Sequence, residues 1–118
     1  MQIIIGGDLV PTQSNTREFI NGDLLALIGK ECGELLKNSD FNIFNLECPL
    51  CNVSQPIKKC GSNLRAPTET VKAIADLPAS IVGLANNHIL DQGWQGLEET
   101  MDVLRANYIA FVGAGSGL

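Results

Sequence analysis

Four short apolar runs, at residues 2–5, 41–46, 79–85 and 108–113, constrain this chain more than any other feature. Each is rich in Ile, Val, Phe or Ala and is bounded by Gly, Asn, Asp or Pro, the pattern of a strand with turn chemistry at its ends. Between them lie stretches with apolar residues three or four apart, the period of a helix with one buried face. The first, Asp23 to Lys37, puts Leu24, Leu25, Ile28, Cys32, Leu35 and Leu36 on one face. Asn21 is its expected N-cap and Asp23 suits its first turn. Gly29 and Gly33 weaken that helix by about 1 kcal/mol each relative to Ala, so they imply a packing need. The second helix starts at Pro67, which fits a first helical position, and is expected to bury Val71, Ile74, Ala75 and Leu77. The third runs from Trp94 to Asn107 with Leu97, Met101 and Leu104 together. Strands that return through helices must lie parallel with right-handed crossovers, so the expected class is α/β, a parallel β-α-β-α-β-α-β arrangement.

At 118 residues the expectation is one domain, and 45% hydrophobic residues suffice for a core. The net charge of −5 argues against a nucleic-acid partner, which calls for a basic face. An anionic substrate fits only if a metal supplies local positive charge. No stretch approaches the ~20 apolar residues of a membrane span. The segment Met1 to Asp8 lacks the basic region and the apolar length of a signal peptide, so a cytoplasmic location is expected. Of the four cysteines, Cys48-x-x-Cys51 with Cys60 nine residues on is too sparse for a zinc site, and free thiols are expected.

Three strand ends carry polar groups: Asp8, the pair Asn45 and Glu47, and the run Asn86-Asn87-His88-Ile89-Leu90-Asp91. Ligands bind beyond such strand ends in open α/β sheets, so the three are expected to meet there as part of a metal site. Each residue also has a plainer reading. Asp8 could cap turn amides. Glu47 lies among Phe44, Leu46 and Pro49 and needs a partner, either Lys58 or Arg65 or a divalent metal. Asn86 and Asn87 could be hydrogen-bonded loop residues, although an amide oxygen can bind a hard metal and His88 could protonate a leaving oxygen. Asp91 sits just before the third helix, and N-cap is its favoured role. Residues 48–65 form a loop long enough to be a lid or a substrate-facing segment.

Gly7-Asp8, Asn45-Leu46-Glu47-Cys48-Pro49-Leu50, Leu84-Ala85-Asn86-Asn87-His88-x-x-Asp91-x-Gly93 and Val112-Gly113-Ala114-Gly115 together resemble the CapA family. These are poly-γ-glutamate capsule synthesis proteins related to the calcineurin-like metallophosphatases. The resemblance runs over essentially the whole chain. It implies half of a metallophosphatase-like two-sheet sandwich, the N-terminal part of a longer domain whose second half brings further histidine ligands. It implies Asp8, Glu47 and Asn87 as metal ligands and His88 as the catalytic residue. Asn45, Asn86, Asp91 and Arg65 would stand behind the ligands or toward substrate, with Asn63 a further substrate contact. The implied cofactor is one or more divalent ions (Mn, Fe, Zn or Mg). The implied partners are an anionic polymer or phosphate-type substrate and capsule-synthesis proteins.

The resemblance thus points to a metal-dependent hydrolase of capsule or exopolymer synthesis at full length, or to a non-catalytic synthesis or export assembly protein. Relatives are often membrane-associated or extracytoplasmic. With few of the ligands of a two-metal site, the 118-residue chain is expected to bind metal weakly and to hydrolyse little. A sheet covered on one side only would leave Ile3, Ile5, Ile43, Ile81, Val82 and Phe111 incompletely buried and prone to self-association.

Overall fold

The computed structural model describes residues 1–117. Its elements are β1 (Ile3–Leu9), α1 (Thr16–Asn21), α2 (Leu24–Ile28), α3 (Lys30–Lys37), β2 (Phe41–Leu46), a 3-10 turn (Thr68–Thr70) leading into α4 (Val71–Ala75), β3 (Ser80–Gly83), α5 (Gly93–Ala106) and β4 (Ala110–Val112). The strands form one all-parallel sheet in the order β1-β2-β3-β4. The α/β class expected from the sequence is therefore present, with each strand beside the one before it.

Side chains alternate across this sheet, because successive strand residues face opposite sides. Asn42, Leu46, Val82 and Leu84 face the helices and are fully buried. Leu46, Val82 and Leu84 pack with Ile74 from α4 and with Leu97, Met101 and Leu104 from α5. A smaller cluster of Leu24, Leu36 and Leu77 sits under α2 and α3. The other side carries Ile3 beside Phe41 and the row Ile5, Ile43, Ile81 and Ala110. Ile3 and Ile5 are 51% and 76% exposed, so the face is bare at its β1 edge. Two residues expected on it are not there. Val82 cannot share a face with its neighbour Ile81, and Phe111 packs against the helix-side core with Arg105 over its ring.

The helices depart from the sequence pattern at three places. The expected single helix from Asp23 to Lys37 is two helices, because Gly29 adopts φ +81°, where a continuous helix stops. The apolar stripe loses its register there. Leu24 and Leu36 are buried, but Leu25, Ile28, Leu35 and Cys32 are exposed. The N-cap is Asp23, whose carboxylate accepts from the Ala26 amide at 3.1 Å, and not Asn21. The packing need at Gly33 is real but lies between helices, since a Cβ there would fall 3.1 Å from Leu25 Cδ2. In α4, Ala73 is buried and Ala75 exposed, because the preceding 3-10 turn shifts the helical phase. The short helix α1, which buries Phe19, occupies a stretch with too few apolar residues to declare itself.

Candidate functional site

The first strand does not end at Gly6-Gly7-Asp8 but continues through those residues to Leu9. Ile5 pairs with Ile43 and Asp8 with Asn45, so β1 uses three steps where β2 uses two. The extra residue is a bulge, and it turns Asp8 to the same side as Asn45. In a regular ladder Asp8 would face the helices instead. Gly6 permits this because the Phe44 ring lies across it: a Cβ there would fall 2.0 Å from Phe44 Cε1.

Hydrogen bonds then join the three strand ends. The Asn45 side-chain amide donates to Asp8 Oδ1 at 2.8 Å. Asn86 Nδ2 donates to Asn45 Oδ1 at 3.1 Å and to the Leu46 carbonyl at 2.9 Å. Its own Oδ1 accepts from the amides of His88 and Ile89, each at 3.0 Å, which shapes the turn after β3. Asp8, Asn45, Asn86 and the His88 backbone thus form one continuous relay at one rim of the sheet.

Glu47 joins this rim through Asp8. The hydrogen bond from Asn45, then one shared with Glu47, holds the Asp8 carboxyl below its ordinary value. The same contact with Asp8, together with burial and the Asp8 charge, pushes Glu47 up, and His88 partly offsets this. Two carboxyls therefore face each other, and Asp8 gives up its proton first. The ion pairs among the described residues are Lys59–Asp91, His88–Asp91 and Arg105–Asp102, so neither Lys58 nor Arg65 neutralises Glu47.

The donor set suits a hard cation in kind, with two carboxylates and nearby amides. It is small in number: among the described residues no group of three or more His, Cys, Asp or Glu is arranged to hold a metal ion. The cysteines do not add to it. Cys48 and Cys51 are buried core thiols, pushed up to about 12 and about 11 chiefly by burial, and all four cysteines are free.

Asp91 departs from the capping role favoured by its position. The residue flanking α5 is Gln92, with no side-chain cap, and Asp91 turns away into a fully buried site. Its Oδ2 accepts from His88 Nδ1 and from the Leu64 amide, both at 2.6 Å, and its Oδ1 takes Lys59 Nζ at 2.5 Å. Burial alone would raise its pKa. The bonds from Lys59, Leu64 and His88 outweigh that and lower it.

The loop expected to be a lid is stitched down along its length. Thr100 Oγ1 accepts from the Leu50 amide, and the Glu99 carboxylate accepts from the amides of Asn52 and Val53. Gln92 bonds the Gln55 amide and the Leu64 carbonyl, and the Ile57 amide donates to the Asp91 carbonyl. None of these anchors, nor Lys59, is signalled by local pattern. The side chains of the remaining candidates make no hydrogen bond to the rim relay among the described residues. Asn87 is exposed and engages Lys59 only through its carbonyl, at 3.3 Å. Arg65 donates to the Asn52 carbonyl and Asn63 to the Ile57 carbonyl, both within their own loop.

The rim residues lie in segments that recur in known proteins. The family model described as "Bacterial capsule synthesis protein PGA_cap" matches residues 2–118. This chain belongs to the PGA_cap family. Among similar proteins, the capsule biosynthesis protein CapA of Bacillus anthracis is 32% identical over 104 residues, covering 86% of this chain and 25% of that protein. The PGA biosynthesis protein CapA of Bacillus subtilis (strain 168) is 31% identical over 87 residues, covering 71% of this chain and 22% of that protein. A Mycobacterium tuberculosis protein named "Probable polyglutamine synthesis accessory protein Rv0574c" is 35% identical over 80 residues, covering 68% of this chain and 21% of that protein. The matches thus span about a quarter of the length of these relatives. No helix among the described residues is long and apolar enough to cross a membrane.

Proposed function

We propose that the rim carrying Asp8, Glu47 and Asn87 is a divalent-cation site, with His88 beside it, in a metal-dependent hydrolase of capsule or polyglutamate-type polymer synthesis. The observation that carries this reading is the Asp8–Glu47 pair, two facing carboxyls with no lysine or arginine bridged to either among the described residues. Carboxylates so placed repel unless a proton or a cation lies between them. When bound, Mn, Fe, Zn or Mg would polarise a substrate oxygen and acidify a water. Asp8 and Glu47 would hold the ion and Asn87 would lend its amide oxygen. Asn45 and Asn86 fix Asp8 and the turn after β3 through the relay described above. Asp91 grips His88 at Nδ1, which leaves Nε2 for a proton bound for the leaving oxygen. The substrate class is a phosphate ester or an amide of an anionic polymer. Arg65, exposed and with part of its guanidinium unengaged, is the residue to meet that charge.

Calorimetric titration of the 118-residue chain with Mn2+ tests the site. Weak binding that is lost in Asp8→Asn and in Glu47→Gln is expected, and binding indifferent to both changes would overturn the reading. In the full-length protein, His88→Ala is expected to lower turnover of a phosphodiester or γ-glutamyl amide far more than metal content. Equal loss of both would make His88 a ligand.

A second reading rests on the relatives' names, one of which is a synthesis accessory protein. The chain would then belong to a non-catalytic assembly factor that keeps the cation site as scaffold. A full-length protein that binds metal, engages capsule-synthesis proteins and turns over no phosphoester or γ-glutamyl amide would favour it.

A further inference from the structure

We propose that Lys59 is a positioning residue for His88: its ammonium, seated on the buried Asp91 carboxylate, pins the 48–65 loop to the rim and fixes the imidazole as its Nδ1–H tautomer. The inference rests on the reading above in that it assigns His88 the chemistry. Its geometry stands apart from any metal.

Three contacts define the arrangement. Lys59 Nζ lies 2.5 Å from Asp91 Oδ1, 3.3 Å from the Asn87 carbonyl and 3.3 Å from His88 Nδ1. An ammonium has only protons to give and a carboxylate only lone pairs, so the identity of each donor is forced. His88 Nδ1 lies 2.6 Å from Asp91 Oδ2, much the closer of its two neighbours. That bond requires the hydrogen on Nδ1. With it there, Nδ1 has no lone pair for Lys59, and the 3.3 Å approach follows from both donors gathering on one carboxylate. In the neutral ring the lone pair is then on Nε2, for which no protein partner exists among the described residues.

Lys59 holds the Asp91 carboxylate that sets this tautomer. Asp91 is fully buried, and a buried carboxylate needs a full charge opposite it as well as hydrogen bonds. Lys59 is the lysine that reaches it, and its side chain is itself only 19% exposed. The same carboxylate takes the Leu64 amide at 2.6 Å, so loop and ring are fastened at one point. The Asn87 carbonyl bond extends the hold to the peptide that carries His88. Removing the ammonium strips Oδ1 of its partner and loosens the Leu64 segment and the ring together.

The chain has a single histidine, which makes the test direct. Long-range 15N–1H spectra of the imidazole at about pH 8.5, where an ordinary histidine is neutral, distinguish the two tautomers. The wild type is expected to give the Nδ1–H pattern, and an Nε2–H pattern would overturn the proposal. Lys59→Met is expected to average the two tautomers and to speed amide exchange at Leu64 by about tenfold or more. Unchanged spectra and unchanged exchange would overturn it. If Lys59→Met does not fold, Lys59→Arg serves instead, expected to retain the Nδ1–H tautomer with a shifted resonance. An unmoved resonance there would equally overturn the proposal. These readouts need neither metal nor substrate. A chain that binds no cation would sink the hydrolase reading and leave the Lys59 result standing on its own.

Discussion

Asp91 is the residue whose surroundings most reward a closer look. Position alone assigns it to the cap of the helix that follows, because capping rules are local. Its partners, Lys59 and Leu64, come from 32 and 27 residues away and cannot be read from spacing. The sequence asked for a charged partner at Glu47, from Lys58, Arg65 or a metal, and nothing in it directs Lys59 to Asp91. Asn86, expected behind the ligands, makes the cross-strand bonds. The pairing of Asp91 has a pH signature. Its folded-state pKa lies below the ordinary 3.8, so the unfolded chain takes up the proton first. Its stabilisation is complete above pH 3.8 and drains away as pH falls through the lower folded value. Asp91→Asn is expected to cost about 3 kcal/mol at pH 7, with a smaller gap from wild type at pH 3, as read from urea midpoints at both.

At the scale of elements, β1 carries the decisive irregularity. Gly6-Gly7 looked like a strand-ending turn, because glycines next to an aspartate usually mark one. They are a bulge inside the strand, and the difference decides which side Asp8 faces. Gly6→Ala would drive a methyl into the Phe44 ring, and overpacking of this kind costs about 2 kcal/mol. Equilibrium denaturation should read that loss, and a variant as stable as wild type would mean the ring swings aside freely. The strands and α5 were legible because their apolar residues keep one period from end to end. The Asp23–Lys37 stretch misled because a glycine at a hinge and a glycine merely weakening a helix look alike. Only the φ of +81° at Gly29 separates them.

On the scale of the whole molecule, the strand order governs what is covered. Parallel strands laid down in sequence with crossovers of one hand place every helix on the same side. The bare face expected from the sequence follows, although Val82 and Phe111 belong to the covered side. Its exposed members lie at both edges, with Ile5 76%, Ile3 51% and Phe41 40% exposed near one and Val112 62% exposed at the other. The 118-residue chain is expected to self-associate through this face. Sedimentation of the double variant Ile5→Lys, Val112→Lys should give a smaller species than wild type, and a wild type that stays monomeric at high concentration would count against it.

The strand order has a temporal side as well. Each strand docks against the one made just before it, so the sheet can grow outward from β1 as the polypeptide emerges from the ribosome. Asp8 meets Asn45 and Glu47 once β2 is in place, and Asn86 with His88 arrives only with β3. The loop bearing Lys59 is synthesised before its anchor at Asp91 exists. Lys59 must wait, without its anchor, until the 32 residues that reach Asp91 have been added. Completion of the rim therefore waits for β3 and the turn after it, and a chain halted earlier would carry the acidic pair without His88.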